Sequence, residues 1–343
     1  MLRNLLLSSV TSDSVLGLLA PLRPRCATIF YLHRFAVPDL GVGGHDPVRL
    51  AQHLEYLRQR RYRLISVMDL LDKLDEGAPL ERNTLAFTVD DGYADFATVG
   101  APVFAAFDCP VTVFLVTDFV AGRLWNWFDR VRWAFSQSRH TGVTLEIFGE
   151  TMTLQWSTRP EAERASEYAV ERLKRGPDAF KEQLIQRLAK GLEVDIPDAA
   201  PERYRAMSWE QVRACARQGV TFGPHTVSHP ILSQVDRKRA EREISESWQA
   251  VVAGTKAAIP VFCYPNGTIN DFSTREKEIV SGSGMVAAVS TIDGCLQSTG
   301  SRMATQDRFA LPRFGYSEEK SRFVQIASGL EVMRARLTWR ARR

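Results

Sequence analysis

The chain has 343 residues, a length that allows either two compact domains or one barrel-sized domain carrying an insertion. Hydrophobic residues make up 45% and charged residues 24% of the sequence, a balance typical of globular proteins that excludes gross disorder and collagen-like repeats. The formal net charge of +4 is too small to indicate a nucleic-acid-binding protein, so we predict no nucleic-acid partner.

The cysteine spacing and the first 25 residues bear on the cellular location. The 5 cysteines are far apart and form no Cys-x-x-Cys pair, which argues against a zinc ribbon, a dithiol redox site and a disulfide scaffold. Such spacing suits a reducing compartment. Neither apolar run near the start is long enough for a signal peptide or a membrane span. We therefore interpret residues 1–25 as a helical preamble and predict a cytoplasmic protein or one peripheral to a membrane.

Strand-like and helix-like runs alternate from residue 29 onward. Asp46 followed by Pro47 is typical of a helix start, and Leu85–Val89 is a clear strand. Alternation of this kind indicates a parallel α/β fold, and the pattern suits a barrel as well as an open sheet. The predicted strands cover residues 29–32, 62–65, 85–89, 111–116, 220–222, 261–264 and 286–289.

The segment of about 122–207 breaks this rhythm, and we interpret it as a mainly helical insertion. A hairpin is predicted to turn at Phe148-Gly149-Glu150, and Thr158 with Glu161 forms a capping box that opens a charged helix. The stretch Trp125-Asn126-Trp127-Phe128 opens the insertion. Its rings could stack on sugars, but burial of the insertion against the barrel is the interpretation we favour.

Two adjacent acids, Asp90 and Asp91, form the first chemical motif. They follow the strand that ends at Val89, and in parallel α/β folds ligands bind at the carboxyl ends of strands. Side chains alternate along a strand, but Gly92 allows the chain to turn so that both carboxylates reach one cleft. The alternative is an ordinary helix N-cap followed by an acid in the first turn.

Two histidines four residues apart form the second motif. His225 and His229 follow the strand 220–222 and are bracketed by Pro224 and Pro230. On a helical turn this spacing places both rings on one face, which is common for metal ligands. The alternative is a pair of hydrogen-bonded core histidines. One carboxylate and two imidazoles would leave open positions on a divalent ion, with Zn²⁺ the first choice.

The motifs together resemble those of the polysaccharide deacetylases (carbohydrate esterase family 4, the chitooligosaccharide deacetylase homology domain). The Thr-x-Asp-Asp-Gly-Tyr and His-Thr-x-x-His motifs occur in the family's order, and residues 110–115 resemble the strand after the first motif. Residues 262–267 resemble an aromatic-Pro-x-Gly motif, and residues 307–313 resemble a segment of the bacterial exopolysaccharide-type branch. The resemblance implies a distorted (β/α)7 barrel over residues 26–316.

The resemblance also implies roles for individual residues. Asp90 matches the catalytic base, and the metal ligands match Asp91, His225 and His229. The segment that helps to bind the oxyanion matches Tyr264, Pro265, Asn266 and Gly267.

Two departures from the family pattern stand out. The family commonly holds the base carboxylate with an arginine two residues before the motif's proline, where this chain has Cys263. The family also commonly supplies the general acid from a late Leu-x-His motif, but no histidine follows His229 here. Because a closed barrel makes its first and last strands neighbours, we predict His33 as the general acid, with a strand-end cap as the alternative. Arg313 or Arg34 could replace the missing arginine.

The predicted function is metal-dependent removal of N-acetyl groups from an amino sugar in a polysaccharide or oligosaccharide. One alternative is a catalytically impaired carbohydrate-binding homologue, because of Cys263; another is a deacylase of a smaller acylated sugar or a lipid-linked glycan. Residues 317–343 are interpreted as a basic C-terminal helix, with contact to an anionic membrane surface left open as an alternative to a solvated helix end. The sequence leaves the oligomeric state open. The arginines in that helix are Arg334, Arg336, Arg340, Arg342 and Arg343.

Overall fold

A curled sheet of mainly parallel strands organises the fold, as seen in a computed structural model that describes residues 11, 13–77, 79–297 and 307–334. The strands are β1 (Cys26–Leu32), β2 (Arg63–Leu64), β3 (Thr84–Val89), β4 (Val111–Leu115), β5 (Gly142–Ile147), β6 (Glu150–Gln155), β7 (Thr221–Pro224), β8 (Val261–Cys263), β9 (Ala287–Val289), β10 (Leu296–Gln297) and β11 (Phe314–Gly315).

Helices connect most of these strands and cover the outside of the sheet. They are α1 (Asp13–Leu18), α2 (Pro47–Gln59), α3 (Val67–Asp75), α4 (Ala101–Ala106), α5 (Thr117–Val120), α6 (Trp127–Gln137), α7 (Arg159–Lys174), α8 (Lys181–Gly191), α9 (Trp209–Ala216), α10 (Arg237–Gly254), α11 (Thr274–Gly282) and α12 (Lys320–Ala327). A π-helical turn, Phe96–Gly100, leads into α4.

The parallel strands close into a ring, which confirms the predicted barrel class. Strand β1 pairs with β3, β3 with β4, and β4 with β7. A parallel bridge between Phe222 and Ala258 continues the ring to β8, which pairs with β9. A second bridge joins Val289 to Leu311, and β11 then pairs in parallel with β1. The carboxyl ends of these strands therefore meet at one rim, where ligand sites of parallel barrels lie.

One of the predicted strands is shorter than expected and lies outside the ring, and one strand of the ring was missed. Only Arg63 and Leu64 of the segment 62–65 are extended, and they pair with the start of β3 beside β4 rather than within the ring. The place in the ring is taken by the segment from Leu311 to Gly315. That segment contains Pro312 and has no apolar alternation, so its strand character arises from pairing with β1 and not from local propensity.

Alternating side chains of the central strands separate two hydrophobic layers. Ile29 and Ala86 point to the same cluster as Val289, inside the ring, whereas Phe30 and Phe87 pack outward beneath the helices. All 6 residues of β3 are buried, as expected for a strand covered on both faces. This double burial fixes the register of β3 and therefore the position of Asp90 and Asp91, which follow it.

The insertion folds around a hydrophobic cluster of its own. The predicted hairpin is confirmed, because β5 and β6 pair in antiparallel fashion from Gly142↔Gln155 to Ile147↔Glu150. Helices α6, α7 and α8 pack against it through a separate cluster that includes Val131, Ala169 and Leu188. The exact domain boundaries remain a prediction.

Both predicted terminal segments are described only in part. Helix α1 lies within the proposed preamble of residues 1–25, and α12 followed by helical residues 331–334 lies within the proposed C-terminal helix. Arg336, Arg340, Arg342 and Arg343 lie outside the described residues, so the membrane contact remains a prediction. No helix in the described part of the chain combines the length and the apolar character needed to cross a membrane.

Candidate active site

The turn after β3 brings both adjacent acids to the rim of the barrel. Asp91 and Gly92 have φ values of 76° and 84°, so the chain leaves the extended conformation at this point. A Cβ on Gly92 would lie 2.8 Å from a methyl carbon of Leu115, so glycine is required here by conformation and by space. Both carboxylates line one cavity, as the sequence predicts. Asp90 is 2% exposed and Asp91 is 4% exposed, so the groups that contact each carboxylate determine whether it is ionised.

Arg313 holds the carboxylate of Asp90 in a bidentate ion pair. Its Nη1 and Nη2 donate to Oδ1 and Oδ2 of Asp90 at 2.8 and 2.7 Å. Burial alone would raise the pKa of Asp90, but the buried guanidinium outweighs burial and lowers it below its ordinary value. Nη2 of Arg313 is also 3.2 Å from the Cys263 sulfur. Position 263 holds no arginine in this chain. Arg313, which directly precedes β11, supplies a guanidinium to the same carboxylate instead.

Arg34, the other candidate for this position, has a different role. Its Nε donates to Asp95 at 2.7 Å, and its guanidinium lies 4.0 Å from the ring centroid of Tyr93. Arg34 therefore stabilises the loop after Asp91 through Tyr93 and Asp95, and no hydrogen bond joins it to Asp90 among the described residues.

The two histidines converge through an irregular turn, so the predicted helical turn was wrong. Thr226 and His229 adopt φ values of 68° and 58°, and no helix spans the segment. Oε2 of the buried Glu243 accepts hydrogen bonds from the amides of Val227 and Ser228, both at 2.9 Å. Left-handed non-glycine residues are strained and persist where surrounding contacts hold them, as at functional sites. Glu243 supplies such contacts from α10.

Asp91, His225 and His229 form a compact set of metal-type donors. The Nε2 atoms of both histidines lie 3.4 Å from Oδ1 of Asp91, and one donor atom from each residue falls within 4.8 Å of the others. Burial would raise the pKa of Asp91, but its hydrogen bonds with the two imidazoles hold it well below its ordinary value. The carboxylate is therefore ionised.

The orientation of His225 fits a metal ligand. Its Nδ1 lies 2.7 Å from the carbonyl oxygen of Cys263, an acceptor that holds a proton on Nδ1, so that a metal at Nε2 would take the place of the hydrogen bond to Asp91. Two imidazole nitrogens and one carboxylate oxygen are the donor chemistry that Zn²⁺ accepts while open positions remain. The residues present therefore fit a divalent ion.

The loop after β8 places a backbone amide beside the cavity. Asn266 and Gly267 have positive φ values of 62° and 68°. The Asn266 side chain donates to Asp271 at 2.8 Å. The backbone N–H of Asn266 donates to no acceptor among the described residues. The amide of Tyr264 bonds to the Val289 carbonyl at 3.3 Å. Asn266 and Tyr264 line the cavity, whereas Pro265 and Gly267 shape the loop.

His33 lies on the wall of the same cavity as Asp90 and Asp91. It follows β1, and its ring packs edge-on against Tyr31 with centroids 5.7 Å apart. The barrel closure therefore brings a histidine from the start of the chain to the rim that carries both motifs. His45, from the glycine-rich loop that follows, lines the cavity as well.

The insertion supplies another wall of the cavity. The ring of Phe128 packs edge-on against His229 with centroids 5.4 Å apart, and Trp127 lines the cavity beside it. Trp125 instead is buried against Tyr204, so burial, the favoured interpretation of this aromatic stretch, holds for Trp125. The Tyr93 hydroxyl donates to the buried Asp129, which ties the first motif to α6.

Glu243 was missed at the sequence level, although a signal was present. It occupies the apolar stripe of α10 formed by Ala240, Ile244 and Val251. A carboxylate in such a stripe is buried, and a buried charge requires partners. The pattern could therefore have indicated a residue that holds a nearby loop.

A family model described as polysaccharide deacetylase matches residues 77–279, which is more than half of the chain. This chain belongs to the polysaccharide deacetylase family. The family match confirms the predicted enzyme class, a hydrolase acting on carbon–nitrogen bonds other than peptide bonds. The matched segment contains both motifs and the loop after β8, while His33 and Arg313 lie outside it. No curated protein matches the chain significantly.

Solved structures resemble the polysaccharide deacetylase fold of this chain over most of their length. The deacetylase PplD of Streptococcus pyogenes, solved with acetate, is 14% identical, with 89% of this chain and 99% of that chain covered and a TM-score of 0.56. IcaB from Ammonifex degensii is 15% identical, with 90% and 98% covered and a TM-score of 0.53. A de-N-acetylase from Aggregatibacter actinomycetemcomitans is 13% identical, with 86% and 96% covered and a TM-score of 0.52. At these identities the likeness establishes the fold alone.

Proposed function

We propose that this protein removes N-acetyl groups from an amino sugar within an oligosaccharide or polysaccharide in a metal-dependent hydrolysis. The observation that carries the proposal is the meeting of an arginine-held carboxylate, Asp90, with the donor set of Asp91, His225 and His229 in one cavity. The names of the structural neighbours, a deacetylase and a de-N-acetylase, agree with this reaction.

Asp91, His225 and His229 would hold the divalent ion, with Zn²⁺ as the first choice. Such an ion lowers the pKa of a bound water and polarises a carbonyl oxygen. The hydrogen bond from His225 to the Cys263 carbonyl and the Glu243 contacts to the loop keep the donors in place before the ion arrives.

Asp90 is assigned as the general base. Its carboxylate is ionised and oriented by Arg313, and each of its oxygens keeps a further lone pair to accept a proton. As the oxygen of water bonds to the acetamide carbon, Asp90 takes the proton that this water releases. Arg313 holds the acceptor oxygens in one orientation, which is its contribution to the step.

The backbone N–H of Asn266 is assigned as a hydrogen-bond donor to the developing oxyanion. Preorganised N–H donors at such a position are worth about 3–4 kcal/mol of transition-state stabilisation. The left-handed turn at Asn266 keeps this N–H from pairing within the described chain, so it remains free for a substrate oxygen.

His33 is assigned as the general acid. When the carbon–nitrogen bond breaks, the leaving amine needs a proton, and an imidazolium on the cavity wall can donate one. The products are acetate and the free amino sugar. Water supplies the oxygen added to the acetyl carbon. One of its protons passes to Asp90 and from there restores the proton that His33 gives to the amine, and the other leaves with acetic acid, which ionises to acetate.

A catalytically impaired carbohydrate-binding homologue is disfavoured by Arg313. That alternative depended on Cys263 in place of an arginine, but Arg313 contacts both oxygens of Asp90 and reaches the Cys263 sulfur. The carboxylate therefore has the cationic partner that its catalytic role requires.

The proposal is tested by acetate release from a panel of N-acetylated glycans, measured with and without a chelator. We expect release from at least one amino-sugar polymer, loss of release with chelator, and recovery on adding Zn²⁺. Chelator-resistant release would contradict metal dependence. Release only from small acylated sugars would favour the alternative of a small-substrate deacylase.

A further inference from the structure

The cavity at the active site extends far beyond the reacting groups. Its volume is about 1410 Å³, whereas small-ligand pockets measure roughly 300–1,000 Å³. One of its walls is built by the insertion, through residues such as Arg132 of α6, Trp156 after β6 and Lys174 of α7. A cavity of this size accommodates several sugar units.

Basic residues that line the cavity fall into two groups. Most are neutralised by a carboxylate: Arg34 by Asp95, Arg132 by Glu167, Arg159 by Glu163, Arg164 by Glu161 and Lys174 by Glu171. Arg139 and Arg203 are the exceptions, because neither has a carboxylate within 4.0 Å in the described part of the chain. Arg139 is exposed, whereas Arg203 is half-buried.

Arg203 is held close to the first catalytic motif. Its carbonyl accepts a hydrogen bond from Nη2 of Arg34 at 2.6 Å. The neighbouring Arg205 carbonyl accepts from the amide of Ala94 at 2.9 Å. The segment that carries Arg203 is therefore tied to the loop after Asp91, next to the groups proposed to react.

The side chain of Arg203 packs on an aromatic ring but has no polar partner among the described residues. Its guanidinium lies 4.9 Å from the ring centroid of Tyr204, and the buried Nε makes no hydrogen bond to any described residue. A buried donor without an acceptor costs about 1–3 kcal/mol, and more when it is charged. Guanidinium groups recognise carboxylates and phosphates through paired N–H donors.

We infer that Arg203 binds an acidic group of the substrate, so that the natural substrate is an anionic glycan with a carboxylate or phosphate near the acetylated amino sugar. This inference rests on the proposed function and adds a substrate class to it. An anionic group bound there neutralises a guanidinium charge that the described part of the chain leaves without a carboxylate partner.

The test compares three substrates at equal chain length. One is a neutral oligomer of N-acetylglucosamine, one alternates N-acetylglucosamine with glucuronic acid, and one links N-acetylglucosamine through phosphodiesters. The wild-type protein is expected to show a lower KM for one or both acidic oligomers. The acidic oligomer with the higher kcat/KM identifies carboxylate or phosphate as the preferred group.

The variant Arg203→Gln is expected to raise KM for the preferred acidic oligomer about tenfold or more, since a charge-assisted hydrogen bond is lost. Its kinetics on the neutral oligomer are expected to stay within twofold of wild type. Arg205→Gln is the matched control, because Arg205 lies two residues away, is 59% exposed and pairs with Glu202 outside the cavity. Added salt should shrink the acidic preference of the wild type.

Equal losses on neutral and acidic oligomers in Arg203→Gln would overturn the inference, as would a wild-type protein without acidic preference. Acetate release from none of the oligomers would contradict the proposed function instead. In that case calorimetric binding of the same three oligomers still tests Arg203, because tighter binding of an acidic oligomer that Arg203→Gln abolishes supports the inference, and equal binding of all three overturns it.

Discussion

Arg313 and Asp90, 223 residues apart in the chain, meet as a buried bidentate ion pair at the rim of the barrel. Arg313 is fully buried, and its Nε donates to the carbonyl of Ser290 at 2.8 Å. Its Nη1 also donates to the hydroxyl of Thr88. The residue after β9 and a residue of β3 therefore fix the guanidinium together. The fixed guanidinium in turn holds the carboxylate of Asp90, the proposed base, in one orientation.

Replacing Arg313 is expected to slow the reaction and to move its acid limit. Because Arg313 lowers the pKa of Asp90, its loss raises that pKa, and the base becomes protonated at a higher pH. Arg313→Lys keeps the charge but loses bidentate geometry, so we expect kcat/KM to fall about 10–100-fold. Arg313→Met should shift the acidic limb of the pH–rate profile upward further than Arg313→Lys does. Arg308→Lys, at an exposed ion pair with Asp75, is the control. Unchanged profiles in both Arg313 variants would contradict the positioning role.

The variant Asp90→Asn tests the base directly. The amide keeps the size of the side chain but cannot accept the proton, so acetate release should fall by a factor of about 10²–10⁴ or more. Bound zinc, measured by mass spectrometry, should stay at the wild-type level because Asp91 remains. Asp75→Asn is the matched control on an exposed acid. Normal turnover by Asp90→Asn would remove Asp90 from the mechanism.

The role of His33 can be distinguished from that of His45, which lines the same cavity. His33→Ala is expected to lower kcat about 100-fold or more, with little change in KM, because protonation of the leaving amine is lost. His45→Ala alters the same cavity without removing the proposed acid, and it serves as the comparison. A wild-type rate for His33→Ala would show that the proton comes from elsewhere.

Metal content provides a test that is independent of turnover. His229→Ala removes one of three donors, so its zinc content after dialysis should fall well below that of the wild type, and its acetate release should fall with it. His140→Ala, at an exposed histidine in the insertion, should retain both properties. Circular dichroism establishes that each variant is folded. Full zinc retention by His229→Ala would contradict the proposed donor set.

Because of the buried His53, we expect the free energy of unfolding to fall in mild acid. Its ring stacks on Phe323 with centroids 4.3 Å apart, and its Nδ1 lies 2.7 Å from the Tyr316 hydroxyl. Burial first, and then the nearby cations Lys320 and Arg49, lower the pKa of His53 from 6.5 to about 4. Below about pH 6.5 the unfolded chain gains a proton that the folded chain does not, so the free energy of unfolding falls until about pH 4.

The size of this effect is about 2 kcal/mol between pH 7 and pH 4.5, measurable by urea unfolding. His53→Gln removes the titrating group and should show a shallower loss over the same range, even though its stability at pH 7 is lower. His140→Gln should keep the wild-type slope, because His140 is exposed. Equal slopes in wild type and His53→Gln would exclude His53 as a source of the pH dependence.

Local sequence patterns predicted the elements that carry both motifs. The run that ends at Val89 forms a buried strand, and Gly92 makes the turn that places Asp90 and Asp91 in one cavity. The histidine pair was found by spacing, although the turn that joins the rings is not helical. In that turn the contacts of Glu243 from α10 override the local preference, and such long-range contacts leave little trace in a short window of sequence.

The sequence by itself determined the parallel strands, the two motifs and the chemistry of their side chains, because these depend on residues a few positions apart. Only the tertiary structure decided that Arg313 pairs with Asp90 and Arg34 with Asp95, and that the segment from Leu311 closes the ring in place of residues 62–65. Ring closure depends on which strand edges satisfy each other's backbone hydrogen bonds. That is a property of the whole sheet, and no single segment encodes it.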